Sequence, residues 1–261
     1  MHKTKRMKTL VIIPARYAST RFPGKPLALL GGKPILEHVY ERASGAGMID
    51  DVRVATDDDR IAACIDSAVG RKVAVMTSTE HKSGTDRCGE VVQKLHAQGS
   101  DYDIVLNLQG DEPFVRPCDI EALAACFRDP EVQIATLRRR IVEQDDLLSP
   151  NCVKVVSSAA GRALYFSRLP IPFRRDVPQE QWLVSGEYYK HIGMYAFRTD
   201  VLLELCKLPQ SALEMSEKLE QLRWLEAGYQ IAVADTDYDG VGIDTPEDLV
   251  RAEVKWKELN N

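Results

Sequence analysis

No Cys-x-x-Cys pair occurs in the chain, and none of its six cysteines (Cys64, Cys88, Cys118, Cys126, Cys152, Cys206) stands at a Cys/His spacing of the zinc type. A zinc module or a redox dithiol is thereby excluded as the organising feature, and reduced structural thiols are expected. No apolar run reaches the length of a membrane span, and the one that follows the basic start, Met1 to Lys8, ends at Pro14, too short for the core of a secretion signal. A cytoplasmic location without membrane insertion is the expectation. Also missing are a G-x-G-x-x-G fingerprint and a Walker A loop, since residue 19 is Ser and Pro26 follows Lys25. Net positive charge is lacking too: at −5 the chain has no bulk attraction for nucleic acid, so an anionic ligand must be met by a local cluster of Lys and Arg. There is no internal repeat and no low-complexity tract.

What is there is an ordinary globular composition, 44% apolar and 28% charged over 261 residues, enough for one large α/β domain over 9–261 behind a flexible basic N-terminus at 1–8. Short apolar runs at Thr9–Ile13, Val52–Ala55, Val73–Met76 and Ile104–Leu108 predict strands. Segments with helical spacing at Ile35–Ala43, Arg60–Val69, Arg87–Ala97 and Ile120–Phe127 alternate with them, which implies a mostly parallel central sheet with ligands beyond the carboxyl ends of its strands. The second half is less regular. Strands are predicted at Val153–Val156, Ala163–Phe166 and His191–Phe197, with a Pro- and Arg-rich loop or small inserted subdomain from Leu169 to Pro178. Then come a helix near Ser216–Ala227, a strand at Gln230–Ala234 and a last helix opening at Thr245-Pro246, Thr as N-cap and Pro at the first helical position.

Three segments carry chemistry. The loop after the first strand, Pro14-Ala-Arg-Tyr-Ala-Ser-Thr-Arg-Phe-Pro-Gly-Lys-Pro26, gathers Arg16, Arg21 and Lys25 around one glycine, a composition suited to a triphosphate, although a solvated basic loop would read the same. Asn107-Leu-Gln-Gly-Asp-Glu-Pro113 puts Asp111 at a strand's carboxyl end, where a carboxylate can hold Mg²⁺ or simply close a Gly-Asp turn. Asp244, in Gly240-Val-Gly-Ile-Asp-Thr-Pro246, also precedes a helix, a position favourable for a carboxylate without any metal. Two acidic loops and one cationic loop at strand ends together point to nucleotidyl transfer. By spacing alone, Arg168 and His191 read equally well as structural residues.

The ordered set of motifs resembles, over nearly the whole chain, the 3-deoxy-manno-octulosonate (KDO) cytidylyltransferases. It comprises the first loop, Val54-Ala-Thr-Asp57, Ser83-Gly-Thr-Asp-Arg87, Gln109-Gly-Asp-Glu-Pro113, Tyr165-Phe-Ser-Arg168, His191-Ile-Gly, Glu220-Gln-Leu-Arg223 and Gly242-Ile-Asp-Thr-Pro246. The resemblance implies a homodimer with a GT-A-like, Rossmann-related α/β nucleotidyltransferase fold, Mg²⁺ as the working cation, and CTP and KDO as substrates on the way to the lipopolysaccharide inner core. It makes Arg16, Lys25, Asp111 and Asp244 catalytic, with the two aspartates as metal ligands. Arg16, Arg21, Lys25, Thr56, Asp57, Ser83, Gly84, Thr85, Arg87 and Gln109 would bind nucleotide, and Gln109, Arg168, His191, Tyr195, Glu220 and Gln221 the sugar acid. Residues of about 160–200 would add to the sugar pocket and the dimer. Asp86, Met194 and Leu169-Pro170 depart from the family pattern, the last beside a sugar ligand, so amino-KDO or a sialic-type acid stands as the alternative acceptor. A nucleotide sensor without turnover is the reading from another class.

Overall fold

A computed structural model describes residues 6–240 and 242–260, so Met1–Lys5 of the expected flexible N-terminus lie outside the described residues. Lys8 is already tied down, its N–H donating to Asp103 Oδ2 at 2.7 Å. Where the sequence suggested one domain over 9–261, backbone contacts group the chain into two units, one running to Ala124 and resuming at Gly240, the other Ala125–Asp239. No helix among the described residues is long and apolar enough to cross a membrane. None of the six cysteines is joined in a disulfide.

In chain order the first unit contains β1 (Thr9–Ala15), the hairpin β2 (Leu29–Leu30) and β3 (Lys33–Pro34), α1 (Ile35–Ser44), β4 (Asp51–Thr56), α2 (Asp59–Val69), β5 (Ala74–Met76), α3 (Gly84–Ala97), β6 (Ile104–Asn107) and α4 (Pro117–Cys126). Its strands stand in the order β6-β1-β4-β5, all parallel. Leu10 to Ile13 are 0% exposed, which is why β1 is a continuous apolar run rather than an alternating one. Local chemistry sets the helix ends. Asp58 caps α2, and Gly70 ends it at φ 72°. Ser83 and Asp86 form a reciprocal capping box that starts α3 at Gly84, three residues before the apolar periodicity becomes visible. The loops leaving β1, β4 and β6 all lie at the sheet's carboxyl edge, which gathers residues 16–26, 57–58 and 108–113 there.

The second unit contains β7 (Ile134–Arg140), α5 (Gln144–Leu148), β8 (Lys154–Ser157), β9 (Ala163–Ser167), α6 (Trp182–Ser185), β10 (Tyr189–Arg198), α7 (Thr199–Leu205), α8 (Ala212–Glu217), α9 (Gln221–Glu226) and β11 (Ile231–Asp235). β10 pairs antiparallel with β7 and β8, β8 with β9, and β11 parallel with β7. Ile141, Leu147, Trp182 and Tyr188 form a small core against which Val177 and Leu183 pack, so the segment after the Pro-rich loop is anchored. The chain ends in α10 (Pro246–Asn260), which belongs to the first unit.

The single helix expected near Ser216–Ala227 is two. Lys218 takes a left-handed conformation, φ 54°, ending α8, and α9 starts three residues later. That conformation crowds a Cβ against its own carbonyl. Lys218→Gly is therefore expected to raise stability by about 0.5–1 kcal/mol, the relief exceeding glycine's entropy cost. A urea midpoint shifted upward at unchanged slope checks this; a lower midpoint contradicts it.

Candidate active site

The loop after β1 is closed by its own backbone, the Tyr17 carbonyl accepting from the N–H groups of Ser19 and Gly24, both at 2.9 Å. Gly24 is left-handed at φ 73°, and a Cβ there would stand 3.1 Å from the Tyr17 ring, so glycine is needed for both reasons. Arg60 of α2 lies 3.4 Å above that ring and pins the loop from the other side of the sequence. Arg16, Arg21 and Lys25 thereby line a cleft of about 370 Å³ whose lining also includes Gln109, Gly110, Asp111 and Asp244.

Gly110 runs so close to β1 that a Cβ would meet the Pro14 carbonyl at 2.8 Å; without glycine the turn that carries Asp111 could not close. The Ile243 N–H donates to the Asp111 carbonyl at 2.9 Å and draws Asp244 to the same edge. Both aspartates then turn on one cation. Lys25 Nζ lies 2.5 Å from Asp111 Oδ2 and 3.1 Å from Asp244 Oδ1, while Arg21 reaches Asp244 Oδ2 at 3.1 Å. Burial alone would lower the Lys25 ammonium, but Asp111 and then Asp244 outweigh it and its pKa is raised. Among the described residues no three His, Cys, Asp or Glu gather as a cage. A pair of carboxylates converging on a cation is a donor set that fits Mg²⁺, which takes one or two carboxylates and completes its shell with water and substrate phosphate. In this structure the Lys25 ammonium occupies the space between the two carboxylates.

Of the remaining nucleotide candidates Arg16 and Gln109 line the cleft, whereas Thr56, Asp57, Ser83, Gly84, Thr85 and Arg87 are not among its lining residues. Arg16 donates to the His81 carbonyl and lines the cleft, its pKa lowered by burial and by Arg87. Arg87 itself is fully buried, donating to Asp57 Oδ2 at 2.8 Å and to Thr77 Oγ1. Thr77 in turn donates from its N–H and hydroxyl to the Thr56 carbonyl at 2.8 and 3.1 Å. Arg87 and Thr56 thus position other groups rather than present themselves to solvent. Ser83 is spent on capping α3; Gly84 follows it, where a Cβ would stand 3.3 Å from Asn107 Nδ2 and 3.4 Å from Pro14, and Thr85 is buried.

In the second unit His191, Tyr195 and Glu220 cluster. The His191 ring packs edge-on against Phe166 with centroids 5.0 Å apart, and against Tyr195 at 5.3 Å, with Nε2 2.9 Å from Thr136 Oγ1. Burial pushes its imidazole down to about 3, so it is neutral at pH 7. Burial and then the Glu220 charge raise the Tyr195 phenol, whose hydroxyl is buried without a hydrogen-bond partner. Gln221 is buried and Glu220 accepts from Arg223 at 3.0 Å. Arg168 stands apart from that cluster's contacts: its guanidinium donates to three backbone carbonyls, Glu217 at 2.7 Å, Pro150 at 2.9 Å and Lys218 at 3.3 Å. Gln109 belongs to the first unit. Sequence reasoning passed over Thr136, Glu217 and Trp224, whose indole N–H is buried without a partner while its ring meets Tyr195 edge-on at 4.9 Å. Only Trp224 carried a signal, being next to the Glu-Gln-Leu-Arg segment.

Residues 10–231 match the cytidylyltransferase family model. A 3-deoxy-manno-octulosonate cytidylyltransferase of Bacteroides thetaiotaomicron is 56% identical over 250 residues, covering 95% of this chain and 97% of that protein. One from Phocaeicola vulgatus is 55% identical, covering 97% and 98%. The chain belongs to the 3-deoxy-manno-octulosonate cytidylyltransferase family. A solved structure of CMP:2-keto-3-deoxy-manno-octonic acid synthetase complexed with CTP superposes with a TM-score of 0.88 at 43% identity, covering 97% of this chain and 99% of that one. The 4-diphosphocytidyl-2C-methyl-D-erythritol synthase of Anaerococcus prevotii, at 15% identity and a TM-score of 0.61, shares the fold. This agrees with the α/β nucleotidyltransferase architecture and the family expected from the motifs.

In this family member the neutral His191 makes a measurable demand on stability. Its folded value of about 3 lies below the ordinary 6.5, so between these pH values the unfolded chain takes up a proton that the folded chain refuses. Its share of stability is complete above pH 6.5 and is lost as pH falls toward 3. Between pH 7 and pH 4, His191→Gln is expected to lose about 2–3 kcal/mol less than the parent, measured by urea unfolding at each pH. Parallel losses in the two proteins would contradict it.

Proposed function

We propose that the chain transfers CMP from CTP to 3-deoxy-D-manno-octulosonate, giving CMP-KDO and pyrophosphate, in the cytoplasm for the lipopolysaccharide inner core. The observation that carries this reading is the single cleft in which Arg16, Arg21 and Lys25 face Asp111 and Asp244, in a chain of this family. The sugar's anomeric hydroxyl attacks the α-phosphorus of CTP in line with departing pyrophosphate, so the residues' tasks are positioning and charge neutralisation. Arg16 and Lys25 hold the triphosphate and the charge that collects on the leaving group. Asp111 and Asp244 would hold Mg²⁺, which when bound polarises phosphate oxygens and eases deprotonation of the hydroxyl. Lys25, which donates to both carboxylates here, would then be released toward the triphosphate.

On the acceptor side, His191 offers a neutral hydrogen bond rather than a charge, and the Tyr195 hydroxyl is a buried donor without a partner. Arg168 has two of its five N–H groups left after the three carbonyls, enough for a sugar carboxylate. A related acidic sugar is the second reading, favoured by Leu169, exposed beside Arg168 where the family pattern is departed from. A homodimer is supported by apolar side chains left open in the 160–200 region, among them Phe173 at 75% and Val184 at 91% exposure.

Pyrophosphate release from CTP and Mg²⁺ with a panel of acidic sugars tests the assignment. KDO should be turned over fastest, with CTP preferred over UTP by about a hundredfold, because a site that pairs with cytosine's amino group leaves acceptors unpaired when a carbonyl replaces it. Equal use of UTP, or faster turnover of a sialic-type acid, would overturn it. Asp111→Asn and Asp244→Asn should each lower turnover at least about a hundredfold with the melting temperature little changed, and EDTA should abolish activity until Mg²⁺ is restored. Near-parental activity in either variant would move the metal elsewhere.

A further inference from the structure

Asp244 is delivered to the cleft by the segment just before α10, and α10 carries more fixings than a terminal helix needs. Glu253 Oε1 accepts the Gly31 N–H at 2.7 Å, in the turn between β2 and β3. The Trp256 indole rests on Gly31 so closely that a Cβ there would fall 2.4 Å from the ring, at a backbone φ of 58°. Lys255 Nζ lies 5.0 Å over the Phe114 ring, three residues beyond Asp111. At its N-terminus, Asp248 Oδ2 accepts the N–H groups of Asp244 and Thr245 at 3.0 and 2.9 Å, while Thr245 Oγ1 accepts the Asp248 N–H at 3.2 Å. One rigid helix therefore ties together the segments that bear all three members of the ion cluster. Lys25 lies four residues before β2, Asp111 precedes Phe114, and Asp244 is fixed to the helix cap.

We propose that Glu253 and Trp256 are positioning residues for the metal site, locking α10 onto the Gly31 turn so that Asp244 is held facing Asp111. This rests on the reading of Asp111 and Asp244 as metal ligands. The reasoning is geometric. Two carboxylates repel unless a cation lies between them, and the Asp244 loop meets the Asp111 segment through the Ile243 N–H to Asp111 carbonyl bond and through Lys25, which donates to both carboxylates. Once Lys25 is engaged by a triphosphate, a single backbone bond is left and yields easily, whereas a helix held at Gly31 by a charge-assisted hydrogen bond and an indole resists drift. Preorganised carboxylates bind a hydrated divalent ion without first being brought together.

The full-length chain and its variants Glu253→Ala, Glu253→Gln, Gly31→Ala and Asp244→Asn are compared in two measurements: the Mg²⁺ concentration at half-maximal turnover of CTP, and hydrogen exchange at the Ile243 amide without metal or nucleotide. Glu253→Ala should raise the half-saturating Mg²⁺ about tenfold and speed Ile243 exchange about tenfold, with kcat at saturating Mg²⁺ within about twofold of the parent. Glu253→Gln keeps an oxygen for the Gly31 N–H and should restore both readouts. Gly31→Ala should match Glu253→Ala by pushing Trp256 aside; if it does not fold, the Glu253 pair still decides. Faster exchange with an unchanged Mg²⁺ requirement would make α10 merely structural and overturn the proposal. So would an unchanged Glu253→Ala beside a shifted Asp244→Asn. A Mg²⁺ requirement unmoved in Asp244→Asn would instead remove the metal reading on which the proposal stands.

Discussion

Two carboxylates brought to one point repel each other, and the first unit is organised around keeping Asp111 and Asp244 together despite that. At an effective dielectric of about 20, unit charges 4 Å apart interact by about 4 kcal/mol, comparable with the stability of many domains. The chain answers with cations rather than with distance. Lys25, only 13% exposed, donates to both carboxylates, and Arg21 adds to Asp244 from the solvent side. In a molecule of net charge −5 this concentration of positive charge is local, which is what an anionic substrate entering an acidic protein requires. Gly110 and Gly24 exist in the same service. Each permits a backbone approach that a side chain would block, and without either the charged groups would be present in the sequence but not assembled.

The second unit follows a different economy of polar groups. There polar atoms are buried among aromatics, and the Tyr195 hydroxyl and the Trp224 indole N–H, whose rings meet edge to face, are left with no hydrogen-bond partner. A buried donor with nothing to bond costs about 1–3 kcal/mol, and such a cost persists in a structure where a ligand repays it or where strain is tolerated. His191 is held neutral by its surroundings, and Arg168 spends three hydrogen bonds stapling the backbone at Pro150, Glu217 and Lys218. Recognition built from such groups depends on shape and hydrogen-bond direction more than on net charge.

How far the sequence discloses this differs between the units. β1, β4 and β6 are legible because strands buried on both faces are continuous apolar runs, and the cationic loop is legible because it follows one of them. The start of α3 is displaced by three residues, since Gly84 to Asp86 show no periodicity and the reason they are helical is a cap. β7 is hidden by Arg138 to Arg140, whose partners Asp235, Asp239 and Glu187 lie some 47 to 100 residues away in the chain. The break at Lys218 has no mark at all, because left-handed turns are read from glycine and this one is a lysine. Arg87 misleads in the opposite sense. Arginines are usually exposed, and nothing local says that this one is buried as a brace for Asp57 and Thr77.

Those differences follow from where the constraints reside. Charge placed at strand ends is determined by the sheet, and a sheet is encoded in short apolar runs and glycines that sequence alone displays. Structures at 15% and 13% identity still superpose with TM-scores of 0.61 and 0.62, so the scaffold tolerates almost complete replacement of its residues. What cannot be replaced freely is the set of side chains whose partners are distant in the chain: Lys25 with Asp111 and Asp244 across 86 and 219 positions, and Gly31 with Glu253 across 222. Such pairs are invisible to local patterns and are what the fold exists to bring about. α10 is the clearest instance. Its sequence reads as a plain amphipathic end-helix, yet its cap and its contact with Gly31 decide whether a carboxylate from one end of the chain can face a carboxylate from the middle.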